Sequence, residues 1–363
     1  MNRFTMTLLF ILTFLALCIA IHVYVLSTLA HFFSITKTPV FYLGAAFLAL
    51  AFVLISILER KFHGHIMKML YLLSAVLIGI VFFFLIFIVI HDILSLFITI
   101  PPYSAGIVIS VLVALLTIIS LINASSFRVK EIKLPMAVSK ETTIVQLTDL
   151  HLGPVRNEEY LSKVVKKINE LNPDMVLITG DLCDGNGKFD KDTVAPLNQI
   201  NAKTFFSTGN HEDIEGIEKM TAILSTTKVI MLRNTDTVYK DIQIIGVDNP
   251  PFEKKWLADA LKKIKMQNVP RILMYHPPQE FEIANSLGIN LQLSGHTHSG
   301  QIFPFELFVR LFYPRVHGLY HHKGSYLYVS PGTGTWGPPM RLGTRNEITL
   351  FRLIPDADTS RIQ

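Results

Sequence analysis

Residues 144–151 read IVQLTDLH, and this short stretch decides the fold. Its first four residues, rich in β-branched and apolar side chains, are typical of a buried strand, and Thr148, Asp149 and His151 follow at once. The same order, a short β-rich run followed by polar residues that can bind metal, recurs four more times along the chain. The sequence therefore predicts five strands that end in chemically active side chains.

The other four runs cover residues 175–179, 204–207, 271–275 and 291–293. In the same order, these runs are followed by Gly180-Asp181-Leu182-Cys183-Asp184, Gly209-Asn210-His211-Glu212, His276 and Ser294-Gly295-His296-Thr297-His298. Ligands of open α/β folds collect beyond the carboxyl ends of the strands, so these polar residues are candidate site residues.

Helical patterns lie between several of these strands. Between the first two, one apolar face at helical spacing is formed by Leu161, Val164, Val165, Ile168 and Leu171. Strands that alternate with helices predict one α/β domain in which helices cover the sheets. We place this domain at residues 143–363, behind a linker and first strand at residues 126–142. We expect Pro135 to end that first strand, which begins at Phe127.

The first 125 residues have a different composition, with 7 charged side chains against 54 in the remaining 238 residues. Four apolar stretches, at residues 4–29, 40–58, 69–90 and 105–122, come close to or exceed the length of about 20 residues that spans a bilayer. The sequence thus predicts a four-helix transmembrane anchor over residues 1–125. A disordered chain and a nucleic-acid binder driven by bulk charge are disfavoured, and no nucleic-acid or protein partner is expected.

The basic residues near the predicted spans indicate an orientation. On one side of the membrane they would be Arg3, Arg60, Lys61, Lys68, Arg128, Lys130 and Lys133, and on the other Lys37 alone. Because Lys and Arg accumulate in cytoplasmic loops, both ends of the anchor are expected in the cytoplasm. We therefore predict a multi-pass protein of the inner (plasma) membrane with a cytoplasmic catalytic domain and the lipid bilayer as its partner.

The polar residues behind the five strands supply two aspartates, one asparagine carbonyl and four imidazoles as donors. They are Asp149, His151, Asp181, Asn210, His276, His296 and His298. Seven ligands are too many for one tetrahedral ion but suit two divalent transition metal ions that share a carboxylate, with Mn, Fe or Zn all compatible. Two such ions about 3.5–4 Å apart acidify a bridging water and stabilise both oxygens of an in-line displacement at phosphorus.

The ordered series Asp-x-His, Gly-Asp-x-x-Asp, Gly-Asn-His-Glu, a later His and Gly-His-Thr-His resembles the calcineurin-like metallophosphoesterase family over roughly residues 140–353. The resemblance implies an α/β sandwich of two sheets flanked by helices, with a dimetal site at strand ends. The first metal would be held by Asp149, His151, Asp181 and His298, and the second by Asp181, Asn210, His276 and His296.

The same resemblance implies roles for three residues. Asp181, which would bridge the two metals, and His211 are the predicted catalytic residues. His211 would neutralise the transition state or protonate the leaving oxygen. Asp184 would orient a ligand from outside the metal shell.

A finer resemblance concerns residues 293–301 (LSGHTHSGQ) and 331–339 (PGTGTWGPP) with Arg341. These segments are similar to the membrane-associated bacterial branch of the family, which includes phosphodiesterases and UDP-2,3-diacylglucosamine pyrophosphohydrolases of lipid A synthesis. Ser299 departs from the glycine that is common there. The implied reaction is attack of a metal-bridging hydroxide on a phosphodiester or pyrophosphate of a phosphorylated lipid or lipid-linked nucleotide such as UDP-2,3-diacylglucosamine.

Several alternatives stay open from the sequence. Gly334 and Arg341 could bind the substrate phosphate, or the glycines could form a plain turn. The aromatic stretch at residues 303–313 could form an acyl-chain groove, dip into the bilayer surface, or pack on the sheet as a helix. The chain could also act on a soluble substrate such as a cyclic nucleotide or phosphoprotein, or be a metal-binding membrane sensor without turnover.

Overall fold

A computed structural model describes residues 3–250 and 256–356, which form two compact units. The first unit contains the described residues up to Ile122 together with Gly337–Met340. The second contains the described residues of Asn123–Trp336 and those from Arg341 onward. The functional division of the chain at residue 125 stays a prediction.

Four long apolar helices make up most of the first unit. They are α1 (Arg3–Phe32), α2 (Pro39–Glu59), α3 (His65–Ser95) and α4 (Pro102–Ser125). All four are long and apolar enough to cross a membrane, which confirms the predicted helices. They extend past the predicted spans by up to five residues, because polar residues such as His65 and Asp92 can continue a helix into the interfacial layer.

The starts of α2 and α4 follow from local sequence. The Thr38 hydroxyl accepts a hydrogen bond from the Phe41 backbone N–H at 3.3 Å, and Pro39 occupies the first helical position. Pro102 begins α4 in the same way. A capping hydroxyl and a proline are favourable there because the first backbone N–H groups of a helix have no partner within it.

Two six-stranded sheets form the centre of the second unit. The first sheet has the order β1-β12-β2-β3-β4-β5 and the second β10-β11-β9-β8-β7-β6. The strands of the first are β1 (Phe127–Met136), β2 (Thr142–Leu147), β3 (Met175–Thr179), β4 (Lys203–Ser207), β5 (Ile230–Met231) and β12 (Asn346–Pro355). Those of the second are β6 (Thr235–Tyr239), β7 (Ile242–Gly246), β8 (Arg271–Met274), β9 (Leu291–Ser294), β10 (Gly318–His322) and β11 (Ser325–Val329).

Seven α-helices complete this unit over its described residues, 123–250 and 256–356. They are α5 (Glu158–Leu171), α6 (Lys191–Val194), α7 (Asn210–Glu215), α8 (Ile217–Leu224), α9 (Trp256–Leu261), α10 (Phe281–Ser286) and α11 (Glu306–Phe312). One core contains side chains from both sheets, a second joins α5 and α8 to the first sheet, and a third joins α9 and α10 to the second sheet. The predicted sandwich of two sheets flanked by helices is confirmed.

The strand predictions differ from the structure in two ways. Pro135 does not end β1, which continues to Met136. Because β1 is an edge strand of the first sheet, it can accommodate a proline that would interrupt the hydrogen bonds of a central strand. Three further β-rich runs, at residues 242–247, 326–329 and 348–353, also predict strands, and they form β7, β11 and β12. Strands β5, β6 and β10 were not predicted, since β5 has two residues and the other two are polar edge strands.

Candidate metal centre

Strand order brings the polar motifs to one place. In the first sheet β2, β3 and β4 are parallel neighbours, so the segments that carry Asp149, Asp181 and Asn210 leave the sheet at the same edge. In the second sheet β8 and β9 are also parallel neighbours, and the segments with His276 and His296 follow them. All seven predicted metal donors lie in the cluster formed by these strand ends.

The first half of the cluster contains Asp149, His151 and His298, and each of these residues is at most 8% exposed. The Nε2 atom of His298 lies 3.2 Å from Asp149 Oδ1 and 3.1 Å from His151 Nε2. His151 Nε2 also lies 3.8 Å from Asp181 Oδ2. Carboxylate oxygens and imidazole nitrogens therefore point toward a common centre.

The second half contains Asp181, His276, His296 and Asn210. His276 Nε2 lies 3.1 Å from Asp181 Oδ2, and His296 Nδ1 lies 2.9 Å from Asn210 Oδ1. One donor atom from each of Asp181, His276 and His296 falls within 4.8 Å of the others. Asp181 thus faces imidazoles of both halves, as a bridging carboxylate would.

The donor set fits a divalent cation. The Nδ1–H of His276 donates to the Thr179 carbonyl at 2.8 Å, which leaves a lone pair on Nε2. This Nε2 is buried without a hydrogen-bond partner. Holding an imidazole through its outer nitrogen so that the other faces the ion is how metal-binding histidines are usually oriented. Buried nitrogen and oxygen donors that converge on one point favour a cation at their centre.

The two central carboxyls are anionic in this setting. Burial acts to raise the pKa of Asp149 and Asp181, but the positive charge that neighbouring imidazoles carry when protonated outweighs it, chiefly that of His298 for Asp149 and His276 for Asp181. The pKa of each carboxyl is therefore held below its usual value. Ionised carboxylates are the form that binds metal.

The backbone at the cluster is held in an uncommon conformation. Five candidate ligands have a positive φ, namely Asp149 (52°), His151 (49°), Asp181 (52°), His296 (71°) and His298 (49°). Asp and His tolerate this left-handed region better than most residues, yet each instance still costs roughly 1 kcal/mol or more. Such conformations persist where the surrounding structure imposes them, and they concentrate at functional sites.

Two of the motif glycines are required by close approach. A Cβ atom at Gly209 would collide with the Asp181 carboxylate and backbone nitrogen, and one at Gly295 would collide with the Asp149 carboxylate and Thr148. The absence of a side chain at both positions lets the two central carboxylates lie against neighbouring backbone.

His211 lies beside the cluster with its ring orientation fixed. Its Nδ1–H donates to the Asp184 carbonyl at 2.7 Å, while its Nε2 lies 4.0 Å from Asp181 Oδ2. Its backbone N–H donates to Asp181 Oδ1 at 2.9 Å. The Asp184 carboxylate lies 3.5 Å from His151 Nδ1, a position from which it can orient that ring.

The sequence motifs did not reveal the role of Glu212. Its buried carboxylate accepts hydrogen bonds from the backbone N–H groups of Gly209 at 2.6 Å, Asp181 at 2.9 Å and Leu182 at 2.9 Å. Burial, with the nearby Asp181 carboxylate, raises the pKa of Glu212 to about 7. Glu212 therefore connects the loops after β3 and β4. The sequence signal for this role was an acidic residue at the end of a metal-binding motif.

We expect Glu212→Gln to lower the free energy of unfolding by about 1–3 kcal/mol, because its amide NH₂ would face backbone N–H donors. Thermal unfolding of the full chain measures this. Glu218→Gln, at an exposed position of α8, is the matched control. Equal unfolding temperatures for the two variants would show that the Glu212 hydrogen bonds do not stabilise these loops.

The structure contradicts the predicted substrate contacts at Arg341 and Gly334. Arg341 is 0% exposed, and its guanidinium donates to the carbonyls of Pro331 at 2.6 Å, Gly334 at 2.7 Å and His298 at 3.2 Å. The Gly334 N–H donates to the Asp149 carbonyl at 2.8 Å. Both groups are occupied in holding loops together, so neither is free to bind a phosphate.

Arg341→Lys is expected to lower the free energy of unfolding by about 2–5 kcal/mol, since one ammonium cannot reach the acceptors that the planar guanidinium satisfies. Arg345→Lys, at an exposed position, is the control. Thermal unfolding together with KM separates the two interpretations. If Arg341→Lys raised KM without changing the unfolding temperature, Arg341 would be a substrate contact as the sequence predicted.

Two aromatic residues that were not predicted as site residues flank the cluster. The Tyr313 hydroxyl lies 2.8 Å from His296 Nε2. The Trp336 ring lies 6.5 Å from the His211 ring and is 55% exposed. The stretch before Tyr313 forms α11, and no residue of this helix is buried. The alternative in which the aromatic stretch packs on the sheet is therefore wrong.

Comparison with known proteins places this geometry in a family. The sequence profile described as calcineurin-like phosphoesterase matches residues 142–300. A metallophosphoesterase of Campylobacter jejuni is 36% identical over 256 residues, which cover 68% of each chain. A metallophosphoesterase of Helicobacter pylori is 39% identical over 227 residues, 60% of this chain and 61% of that protein.

A bovine (Bos taurus) protein named transmembrane protein with metallophosphoesterase domain is 36% identical over 264 residues, 64% of this chain and 59% of that protein. The chain thus spans about three fifths of the length of the Helicobacter and bovine relatives, 61% and 59%. The long Campylobacter match, the profile over the metal motifs and the two-sheet fold agree. The chain belongs to the calcineurin-like metallophosphoesterase family.

Proposed function

We propose that this chain is a membrane-anchored dimetal phosphoesterase that hydrolyses a phosphodiester or pyrophosphate bond. The observation that supports the proposal most is the convergence of seven donors from five strand ends around one buried carboxylate, Asp181. Mixed nitrogen and oxygen donors of this number suit two divalent ions such as Mn, Fe or Zn.

In this proposal Asp149, His151 and His298 hold one ion, and His276, His296 and Asn210 hold the other. Asp181 belongs to both sets. The short distances from Asp181 Oδ2 to His276 Nε2, 3.1 Å, and to His151 Nε2, 3.8 Å, support a shared position. Asp184 positions His151 from outside the set.

The bound ions would supply Lewis-acid activation of water and neutralise charge on the phosphoryl oxygens. The protein residues would hold this arrangement and move protons. His211 is the group that would protonate the leaving oxygen, because the Asp184 carbonyl occupies its Nδ1 and leaves Nε2 directed toward the cluster. The partly exposed side chains of Asn210 and His296 mark the side from which a substrate reaches the site.

The proposed substrate is a phosphorylated lipid or lipid-linked nucleotide, with UDP-2,3-diacylglucosamine as the named candidate. The four apolar helices support this class, since an enzyme held at a membrane meets lipid at a high effective concentration. The proposal includes an anchor at residues 1–125, a linker and first strand at residues 126–142 and a catalytic domain at residues 143–363. It also includes a cytoplasmic position for the catalytic domain at the inner membrane, because seven basic residues near the predicted spans would share one side and Lys37 alone the other.

The full chain, reconstituted in lipid vesicles with manganese, tests the substrate class. We expect kcat/KM for UDP-2,3-diacylglucosamine to exceed that for the same nucleotide sugar without acyl chains by about 100-fold, as burial of the chains contributes binding energy. Equal values would favour a soluble substrate. Metal uptake without hydrolysis of either compound or of a bis(p-nitrophenyl) phosphate reporter would favour a sensor.

A further inference from the structure

We infer that an apolar rim beside the metal centre docks into the interfacial layer of the bilayer. This rim consists of Phe303, Phe305, Leu307, Phe308, Leu311 and Phe312, which belong to α11 and the turn before it. The inference rests on the proposed membrane anchoring and adds a second contact with lipid, made by the catalytic unit itself.

The exposure of the rim is concentrated in one short segment. Leu311 and Phe312 are each 76% exposed, and α11 contains no buried residue. Among the described residues from 123 onward, six of the twelve exposed large hydrophobic side chains lie within residues 303–312. Single exposed apolar residues are ordinary, but such a cluster on a folded surface marks an interaction site.

The chemistry around the rim favours a bilayer as the occupant. Segments that lie in the headgroup layer are typically rich in Phe and Leu next to basic side chains. Within residues 303–323 Arg310 forms an ion pair with Glu306, and Arg315 forms one with Glu282, so the rim and its surroundings carry little net charge. The apolar side chains of the rim, rather than its charge, therefore favour a bilayer as the occupant. The same chain also has four helices long and apolar enough to cross a membrane, so the proposed anchoring would keep the catalytic unit near a bilayer.

The rim is tied closely to the metal centre at both ends. Before α11, Gly300 has φ 69°, and a Cβ there would collide with the backbone of Glu306. After α11, the Tyr313 hydroxyl bonds to His296 Nε2 at 2.8 Å. Since the candidate ligands His296 and His298 lie ten and eight residues before the start of α11, docking of the rim would place the metal centre close to the lipid headgroups.

Depth-dependent quenching tests the docking. The full chain with Leu311→Cys is labelled with an environment-sensitive fluorophore and reconstituted in vesicles of phosphatidylethanolamine and phosphatidylglycerol with spin-labelled lipid. Val238→Cys is the control, because Val238 is 50% exposed on β6, an edge strand of the second sheet of the catalytic unit. The unsubstituted chain, treated identically, corrects for label on Cys18 and Cys183.

We expect spin-labelled lipid to quench the probe at position 311 by about half or more and to leave the probe at position 238 nearly unchanged. Equal quenching at both positions would overturn the inference. A probe at position 311 that is shielded from water but not quenched by lipid would indicate a protein contact instead and would also overturn it.

A functional comparison distinguishes failure of the docking from failure of the proposed substrate. The double substitution Leu311→Glu with Phe312→Glu is expected to lower the ratio of lipid to soluble-reporter turnover about tenfold, whereas Val238→Glu leaves it unchanged. An unaltered ratio in the double variant would contradict a role for the rim in lipid turnover. If no variant hydrolysed lipid but quenching at position 311 persisted, the docking would stand and the proposed substrate would be wrong.

Discussion

Asp181→Asn is expected to lower kcat/KM for a phosphodiester by about 1,000-fold or more. The amide has nearly the same shape as the carboxylate but lacks the negative charge shared between the two halves of the cluster. Asp181 Oδ2 lies 3.1 Å from His276 Nε2 and 3.8 Å from His151 Nε2, so one substitution weakens both proposed metal positions. Steady-state hydrolysis of bis(p-nitrophenyl) phosphate by the full chain, with metal content on the same sample, measures the effect.

The control is Asp192→Asn, which removes a carboxylate at an exposed position of α6. Its activity and metal content should match those of the unsubstituted chain. An Asp181→Asn variant that folds, retains full metal and turns over within about twofold of the parent would contradict the bridging role.

His211→Gln is expected to lower kcat by about 100-fold or more for a diester with a poor alkoxide leaving group. The loss should be much smaller for a p-nitrophenyl ester, because p-nitrophenolate leaves without a proton. This difference follows from the geometry, in which the Asp184 carbonyl holds Nδ1 at 2.7 Å and leaves Nε2 to face the reacting group. Parallel assays of His211→Gln and the unsubstituted chain on the two esters measure the loss of kcat on each.

His321→Gln is the matched control, since His321 is exposed on β10 and was not assigned to the site. It should leave both rates unchanged. Equal losses on both esters in His211→Gln would show that the imidazole neutralises the transition state rather than donating a proton to the leaving oxygen.

The strands and the metal donors could be predicted because their signals are local. Each donor follows a β-rich run within a few residues, and parallel neighbours such as β2 and β3 necessarily end at one edge. The apolar face of α5 is equally local, and Leu161, Val164, Val165 and Ile168 are buried as its spacing predicted.

The features that were missed depend on contacts between distant parts of the chain. Arg341 was interpreted as a substrate contact because a cation beside glycines suits phosphate, but its acceptors include His298, which lies 43 residues away. Glu212 accepts from the backbone of Asp181, about 30 residues earlier. Pro135 does not end β1, because β1 lies at the edge of its sheet. The position of a strand within a sheet is not visible in a local sequence pattern.

The central claim is that five strand ends bind two ions around Asp181. The most direct test is the number of manganese ions bound per full chain after gel filtration, determined by mass spectrometry. We expect about two ions per chain, because one shared carboxylate and six further donors suit a pair of ions. A folded, manganese-saturated sample that retained one ion or none per chain would contradict it.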